Sequence, residues 1–357
     1  MLQTSAPVLP AASTAIAVRP FAGADEAAWE RFVAAAPAAT IFHRLGWKRV
    51  VERSLGHACH YRCAWRDGAL VGVLPLIHVR SPLFGTSLLS VGFGVYGGIL
   101  AADDAVARSL AEDAAELGRS LGVDYVELRH LEECPIGWPA KSELYFTFSR
   151  TLSPANDKNL KAIPRKKRAD LRKAIDNPKL AVDVGCAFEV FYRIYSESLR
   201  NLGTPVLPRR FYRAIVEEFG TDVELSAVRG PDGPVAALMT FTFRDRVMPY
   251  YGGATPAARP LHAYDLLYWS LMERAAAAGK LTYDFGRSKR GTGSFDYKTY
   301  WGFEPVPLRY QVLPLGKPEL PDVNPLNPKY RLMIATWQRL PLAVANLVGP
   351  MVARQIG

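Results

Sequence analysis

An internal duplication is the feature that most constrains how this chain can fold. The motif Tyr96–Gly98 stands 29 residues before Tyr125, and the motif Tyr251–Gly253 stands 32 residues before Tyr283. In each case a helical pattern and a glycine precede the second tyrosine, which lies in a short apolar strand pattern. The repeat is about 155 residues long, far longer than the repeats of solenoid proteins. The sequence therefore predicts two copies of one mixed α/β unit.

Hydrophobic spacing and capping signals predict the same order of elements in both units. Asp103 is expected to cap a helix and Gly122 to end it, because N-cap positions favour Asp and C′ positions favour Gly. The predicted helices of the first unit cover 25–36, 45–55 and 103–121, and its strands cover 60–65, 69–79, 87–95, 125–129 and 144–148. In the second unit the predicted helices cover 188–199, 208–219 and 261–278, and the strands cover 223–228, 235–243, 247–251 and 281–285.

These patterns predict an α/β (α+β) protein with four segments. The first unit covers residues 1–155, a basic linker helix covers 156–180, the second unit covers 181–315, and a tail whose helix packs on the body covers 316–357. Each unit is expected to hold a mixed central sheet flanked by helices. A chain of 357 residues, 49% of them hydrophobic, is long enough to bury two cores.

Composition narrows the function classes further. The net charge of +10 favours an anionic partner, such as a phosphorylated substrate, tRNA or a membrane surface. Four cysteines are too few for a disulfide framework in a chain of this length. The cluster His57–Cys63 invites comparison with a zinc site, but its spacing fits no common zinc finger, so no metal is expected.

The sequence lacks recognisable targeting signals, and a cytoplasmic protein is therefore expected. The N-terminal residues lack the charged start of a secretory signal, and no uncharged apolar stretch is long enough to read as a membrane span. The apolar tail over 340–353 is expected to pack on the body of the protein. Peripheral contact with the inner membrane surface is the alternative.

The most basic segment lies between the two units. From 157 to 179 there are nine Lys or Arg residues against three Asp. In a helix after Pro164, Arg165, Arg168 and Arg172 fall on one face. One interpretation is a solvated connecting helix, because charge runs are commonly solvated. The other is phosphate recognition by arginine forks and a helix N-terminus.

A glycine- and cation-rich stretch over 281–303 has the composition of a ligand-binding loop. It begins as an apolar strand pattern and ends in an aromatic run around Lys298. Between these ends lie three glycines and three cations: Gly286, Gly291 and Gly293, with Arg287, Lys289 and Arg290. Glycine lets a backbone approach a ligand closely, and the cations supply donors for phosphate or carboxylate. The alternative is a solvated loop with hydrophobic ends.

This stretch resembles the FemAB-like branch of the GNAT acyltransferases. The resemblance rests on Tyr283–Lys289, on Gly291–Gly293 and on Tyr297–Pro305, which holds the Phe/Tyr-Lys-x-x-(Phe/Trp)-Gly core of that branch. More closely, the longer string is similar to the FemAB-type proteins that accompany exosortase/PEP-CTERM exopolysaccharide systems. The resemblance implies tandem GNAT folds, in agreement with the duplication.

The resemblance also implies which residues form the site. Lys298 matches the family lysine that stabilises the oxyanion of acyl transfer. The segment 41–48 resembles the family's aromatic-x-x-x-x-Trp entry motif. There Lys48 best matches the cation that meets acceptor phosphate, with Arg44 and Arg49 as alternatives. The other implied or candidate substrate-binding residues are Tyr96, Gly97 and Gly98 at the acceptor cleft, Arg165 and Arg168 in the linker, and Tyr251, Arg287 and Lys289.

Each of these assignments has a structural alternative. Lys298 could be a lysine whose stem lies between Tyr297 and Trp301 while its charge reaches water. The Gly97–Gly98 pair could relieve a tight turn or bulge. The general base stays open among four candidates: Asp284, Asp296, His262 and Tyr264.

The implied function is an acyl or aminoacyl transferase, of EC class 2.3, acting on a cell-envelope or exopolysaccharide precursor in a cleft between the units. No bound cofactor is expected. Acyl-CoA or aminoacyl-tRNA would be the co-substrate, and the acceptor would be a small molecule or a lipid-linked precursor. The usual GNAT pyrophosphate loop and the coiled-coil arm of some FemAB relatives are both absent from the sequence. The alternative is a non-catalytic accessory protein that binds anionic lipid-linked sugars through the basic linker.

Overall fold

The computed structural model describes residues 15–82, 84–141, 143–316 and 331–355. The helices are α1 (Glu26–Ala35), α2 (Leu45–Leu55), α3 (Asp104–Ser120), α4 (Asn156–Lys161), α5 (Arg165–Ile175), α6 (Phe188–Leu202), α7 (Arg209–Phe219), α8 (Ala263–Ala277), α9 (Gly293–Tyr300), α10 (Arg331–Gln338) and α11 (Leu342–Ala353). The strands are β1 (Ala17–Pro20), β2 (Ala58–Cys59), β3 (Arg62–Arg66), β4 (Ala69–Leu74), β5 (Ile77–Ser81), β6 (Gly85–Leu89), β7 (Leu100–Ala101), β8 (Tyr125–Leu128), β9 (Ala140–Lys141), β10 (Tyr145–Thr147), β11 (Ser149–Thr151), β12 (Ala181–Val184), β13 (Val223–Gly230), β14 (Gly233–Phe243), β15 (Arg246–Ala254), β16 (Thr282–Asp284), β17 (Ser288–Lys289), β18 (Val306–Pro307) and β19 (Tyr310–Pro314).

Local sequence signals set several of these boundaries as predicted. The α2 helix has the predicted bounds, and the Asp103 side chain accepts a hydrogen bond from the Val106 N–H at the start of α3. Gly122 follows that helix with a φ of 64°, a conformation that glycine adopts without cost. The single strand predicted over 69–79 is wrong, because β4 and β5 are separate strands with Pro75 between them. Proline lacks the N–H that a continuous ladder needs.

The second unit is a six-stranded sheet with helices on both faces, in the order β11-β16-β15-β14-β13-β12. Along β14, Ala236 and Leu238 pack in one core with residues of α8, whereas Ala237 and Met239 pack in another with residues of α6 and α7. This alternation follows from the two-residue period of a strand. The second of these cores also contains first-unit residues, so the two units share buried apolar surface.

The first unit contains two sheets. One has the order β1-β3-β4-β7 and the other has the order β2-β5-β6-β8-β19-β9. The α3 helix places Val106, Leu110 and Ala114 in a core with strand residues of both sheets, including Leu74 and Leu88. The buried face of α3 follows the spacing expected of an amphipathic helix.

The two units exchange strands. Strand β11 lies before the linker in sequence but pairs with β16 of the second unit, where Arg150 stands opposite Tyr283. Strand β19 lies at the end of the second unit in sequence but pairs with β8 of the first, where Val312 stands opposite Glu127. Strand β10 pairs with both β17 and β18. A strand from the end of each unit therefore pairs in the sheet of the other unit and holds the two units together.

Strands β15 and β16 are parallel neighbours over a short distance only. Their pairing covers Arg246 with Thr282 and Val247 with Tyr283, whereas β15 continues along β14 as far as Ala254. After Asp284 the chain turns at Gly286, whose φ of 68° favours glycine. The carboxyl end of β16 thus leads into the glycine- and cation-rich loop.

The basic linker holds two helices, α4 and α5, with Pro164 between them. Ile163 and Leu171 are buried in the core that also contains residues of α8, and Ala174 is buried as well, so this segment contributes more apolar burial than its charge suggested. Arg165 and Lys166 are exposed. In the tail, α11 packs against α6. No helix among the described residues has the length and apolar character needed to cross a membrane.

Candidate active site

Lys298 is held by the loop that follows β16. Its Nζ donates to the carbonyl oxygens of Gly286 at 3.0 Å and Arg287 at 3.1 Å, and it lies 5.3 Å from the ring centre of Phe148. Burial lowers the pKa of Lys298 to about 7; the Asp284 carboxylate opposes this shift and the Arg287 guanidinium adds to it. The ammonium is therefore a partly desolvated, fixed charge. The neighbouring Tyr297 and Trp301 rings lie 4.6 Å and 5.8 Å from a different ammonium, that of Lys167.

Asp284 holds the same loop through hydrogen bonds to its carboxylate. Its carboxylate is fully buried and accepts hydrogen bonds from the Gly286 N–H at 2.7 Å and from Arg246 Nη1 at 2.8 Å. The hydroxyl of Tyr96 donates to the same carboxylate at 3.4 Å and also contacts the Thr147 hydroxyl. Asp284 therefore joins a first-unit tyrosine to the second-unit loop that carries the carbonyl partners of Lys298.

Arg287 directs a guanidinium into an aromatic and cationic cluster at the junction of the units. Its guanidinium carbon lies 4.4 Å from the ring centre of Tyr145 and 5.8 Å from that of Tyr310. Arg129 approaches the same Tyr310 ring at 5.8 Å and pairs with Glu127 at 2.7 Å. Two guanidinium groups and one carboxylate leave a net positive charge beside Tyr310, which suits an anionic group. Lys289, also from the loop, lies 5.4 Å from the Tyr145 ring.

A second cluster surrounds the N-terminus of α8. Lys167 pairs with the buried Asp265 at 2.6 Å and lies 4.6 Å from the Tyr297 ring centre, and Tyr297 donates its hydroxyl to Asp265. A cavity of about 400 Å³ lies here, with Arg259 and His262 also in its wall. Tyr297 belongs to α9, the helix that carries Lys298, so the two clusters lie on neighbouring positions of one helix.

Lys167 and Asp265 were missed by the sequence analysis, and a local signal could have found Lys167. It precedes the buried residues Leu171 and Ala174 by four and seven positions, so all three lie on one face of α5. The predicted basic face of Arg165, Arg168 and Arg172 is a different face of α5 from the one that holds Lys167, Leu171 and Ala174. Arg168 donates to the Lys161 carbonyl oxygen at 3.0 Å.

Tyr96, Gly97 and Gly98 are buried against the first unit. A Cβ on Gly97 would lie 2.0 Å from Val91 Cγ2, and a Cβ on Gly98 would lie 2.1 Å from His130 Cδ2. Because glycine has no Cβ, Gly97 and Gly98 leave room for the side chains of Val91 and His130. Tyr96 and Gly98 also border a cavity of about 290 Å³.

Tyr251 lies in an aromatic cluster with Tyr195, Tyr212 and Tyr250. Burial, reinforced by the charges that Tyr250 and Tyr195 would carry, raises its pKa well above the usual range, so its hydroxyl stays protonated. That hydroxyl donates to the Phe93 carbonyl oxygen at 3.5 Å, which links the two units again.

Arg44 and Lys48, the predicted acceptor-phosphate cations, pair with carboxylates. Lys48 Nζ contacts Glu52 at 2.7 Å, and Arg44 pairs with Glu30 and with Asp222. Within the described residues, no hydrogen bond or ion pair connects either cation, or Arg165 and Arg168, to Lys298. The site that the structure assembles around Lys298 thus contains Tyr96, Arg287 and Lys289 from the predicted set.

No cluster of three or more His, Cys, Asp or Glu side chains in the described part of the chain could hold a metal ion. The His57–Cys63 segment forms β2 and the start of β3, and all four cysteines of the chain carry free thiols. Burial raises the pKa of the Cys63 thiol to about 12.

Part of the chain matches a known protein family, and the whole fold is similar to those of several solved structures. Residues 164–299 match the family described as Acetyltransferase (GNAT) domain, and no curated protein sequence matches the chain. The crystal structure of FemX is similar with a TM-score of 0.65 and 13% identity, covering 89% of this chain and 100% of that chain. A tandem GNAT protein from the clavulanic acid biosynthesis pathway has a TM-score of 0.55 and 12% identity, covering 85% and 100%. The C-terminal domain of a putative lysylphosphatidylglycerol synthetase from Agrobacterium fabrum has a TM-score of 0.54 and 13% identity, covering 82% and 92%.

At these identities the structural similarity concerns the fold. It extends over both units, and the family match lies over the linker helix α5 and most of the second unit. The predicted tandem α/β fold and the predicted resemblance are thus confirmed, whereas the link to exosortase/PEP-CTERM systems stays a prediction. Residues 164–299 thus match the acetyltransferase (GNAT) domain family, and the chain as a whole has a fold similar to those of FemX and a tandem GNAT protein.

Proposed function

We propose that the protein is an acyl or aminoacyl transferase that modifies a cell-envelope or exopolysaccharide precursor, with transfer taking place where the two units meet. The observation that carries the proposal is the Lys298 ammonium, partly desolvated and fixed by two loop carbonyls beside the cationic cluster of Arg287 and Arg129. A fixed cation in a poorly hydrated site suits a reaction in which negative charge develops on one oxygen.

The chemistry follows from this placement. An amine or hydroxyl of the acceptor attacks the acyl carbonyl carbon, and the carbonyl electron pair moves onto oxygen. Lys298 stabilises this oxyanion, with a contribution of about 3 kcal/mol. When the carbonyl re-forms, the bond to the leaving sulfur or oxygen breaks and its electron pair leaves with that atom. The proton of the attacking group ends on the leaving group.

Two features support anionic substrates. The Arg287 guanidinium, which lies beside the Tyr145 and Tyr310 rings, suits a phosphate or carboxylate of the acceptor. The cavity at the N-terminus of α8 contains Lys167, Arg259 and His262, and helix N-termini favour anions. An acyl-CoA phosphate is the donor group that fits there best, although Asp170 and Asp265 reduce the net charge of this cavity. Charged tRNA is the alternative donor, and a lipid-linked precursor is an acceptor of the expected chemistry.

The first experiment is a thermal-shift screen of the full chain against acetyl-CoA, longer acyl-CoAs, charged and uncharged tRNA, and nucleotide-sugar precursors. We expect selective stabilisation by an acyl donor. With that donor and an amine acceptor, Lys298→Ala should fold normally and lose transfer about 100-fold or more. The matched control is Lys280→Ala, because Lys280 is also half-buried and donates to a carbonyl oxygen, that of Arg244 at 2.8 Å, away from the site.

Two results would contradict the proposal. An unchanged transfer rate in Lys298→Ala would remove this lysine from the mechanism. Stabilisation by polyanions alone, erased by moderate salt, would favour the accessory protein that binds anionic lipid-linked sugars, because nonspecific phosphate contacts weaken steeply with salt.

A further inference from the structure

The C-terminal helix α11 turns its large apolar side chains outward. Val344, Leu347, Val348 and Met351 are exposed, with Leu347 at 71% and Met351 at 60% of full exposure. These four positions are separated by three, one and three residues, so they share one face of the helix. We name this set the apolar face of α11. The preceding helix α10 also exposes Leu332 and Met333.

The opposite side of α11 is built from small residues. Ala345, Gly349 and Ala353 are buried. A Cβ on Gly349 would lie 3.1 Å from the backbone nitrogen of Val206, so glycine lets the helix lie closely on the chain between α6 and α7. Surface helices usually bury their large apolar residues and expose polar ones. Here the small residues attach the helix to the body, and the large residues remain in contact with water.

The surroundings of this face are cationic. Residues 332–355 include Arg339 and Arg354 and contain no Asp or Glu. A cavity of about 640 Å³ beside Leu347 and Met351 has three arginines in its wall, Arg209, Arg210 and Arg354, of which Arg209 also pairs with Glu189. A neighbouring cavity of about 390 Å³ contains Arg80, Arg354 and His78.

We propose that the apolar face of α11 docks the protein on a membrane surface that contains anionic lipids. The four aliphatic side chains enter the boundary between headgroups and acyl chains, and the surrounding arginines meet lipid phosphates. Charge favours this occupant over a second copy of the chain. A symmetric contact through the same face would place arginines against arginines, whereas an anionic membrane neutralises them.

Contacts lead from this face towards the junction of the units. The His57 Nε2–H donates to the Arg354 carbonyl oxygen at 2.8 Å, and the His57 ring stacks on Phe93 with 5.3 Å between ring centres. The Phe93 carbonyl oxygen accepts the hydrogen bond from Tyr251 described above. Docking through α11 would bring this side of the protein to a surface on which lipid-linked molecules reside. The docking itself does not depend on the proposed transferase activity.

The test is sedimentation of the full chain with vesicles. Vesicles of phosphatidylethanolamine and phosphatidylglycerol should retain the wild type, and vesicles of phosphatidylcholine alone should retain much less. The double variant Leu347→Glu/Met351→Glu should bind the anionic vesicles at least about ten-fold more weakly. Two apolar side chains that would enter the membrane are lost, and two negative charges are added that the anionic lipids repel. Leu281→Glu is the matched control, since Leu281 is an exposed leucine before β16 in the second unit.

Thermal unfolding of the variants verifies that they fold, which is expected because both substituted side chains are solvent-exposed. Equal vesicle binding by the wild type and the double variant would overturn the proposal, and so would an absence of binding to anionic vesicles. A wild type that is dimeric in solution and a double variant that is monomeric would assign the face to a second copy instead. Loss of transfer in Lys298→Ala with vesicle binding retained would separate the two proposals.

Discussion

Replacing Lys298 by methionine should change how the stability of the protein depends on pH. The pKa of Lys298 falls from an ordinary value of 10.5 to about 7 in the folded protein, chiefly because the ammonium is buried. Between these two pH values the unfolded chain holds a proton that the folded chain has released. The free energy of unfolding therefore rises with pH in this window, by at most about 1.4 kcal/mol per pH unit.

The expected magnitude is smaller because the side chain is only half-buried. Allowing roughly half of the full value for solvent screening, we expect the wild type to gain about 1–2 kcal/mol over Lys298→Met between pH 7.5 and pH 9.5. The variant lacks the titrating amine, so it lacks this gain. Other groups that titrate in the window contribute equally to both proteins, so the difference between them isolates Lys298.

The assay is urea unfolding of the wild type, Lys298→Met and Lys280→Met at pH 7.5, 8.5 and 9.5. Lys280→Met should follow the pH dependence of the wild type. A stability difference between the wild type and Lys298→Met that stays constant across this range would refute the reasoning, because it would mean that Lys298 is as well hydrated in the folded protein as in the unfolded chain.

Three further outcomes follow from contacts in the same regions. Transfer should require the charged form of Lys298, so kcat/KM should fall above about pH 7 in a pH–rate profile; a flat profile from pH 7 to 9 would contradict this. Lys167→Met should cost about 3 kcal/mol in urea unfolding because it leaves Asp265 buried without its cation, whereas Lys173→Met, which breaks an exposed pair, should cost under about 1 kcal/mol. Gly98→Ala should lower Tm and reduce the free energy of unfolding by about 1–3 kcal/mol, because the added Cβ would overlap His130. Gly293→Ala adds a Cβ in open space and should leave Tm unchanged. Equal Tm values for the two variants would contradict the packing described for Gly98.

Local signals in the sequence predicted much of the fold. The bounds of α2 and the cap of α3 depend on residues within a few positions of each other, and these were predicted correctly. The pairing of β11 with β16 and of β19 with β8 depends on residues more than 100 positions apart. Hydrophobic alternation identifies such a strand, but it carries no information about which distant edge the strand will join.

The same distinction applies to the site. The position of Lys298 was predicted from a motif, but its carbonyl partners at Gly286 and Arg287 depend on how α9 lies over the preceding loop. Lys167 was grouped with the solvated charges of the linker, although its spacing from Leu171 indicated a buried face. The number of charges in α5 indicated a solvated helix, whereas the spacing of Lys167 from the buried Leu171 indicates which cation lies on the buried face.

The strand exchange explains why this site can exist at the junction of two repeated units. Tyr310 lies on β19, so the strand that pairs with β8 in the first-unit sheet also places an aromatic ring beside Arg287 of the second unit. The Tyr310 hydroxyl donates to the Val95 carbonyl oxygen at 2.6 Å, one residue before Tyr96, whose own hydroxyl reaches Asp284. Separating the units would break both pairings and expose strand edges, which is costly because their backbone groups would lose their partners. The cationic cluster is thus kept at a fixed geometry by backbone pairing, so the charged groups that an oxyanion or phosphate would meet are already oriented before a substrate binds.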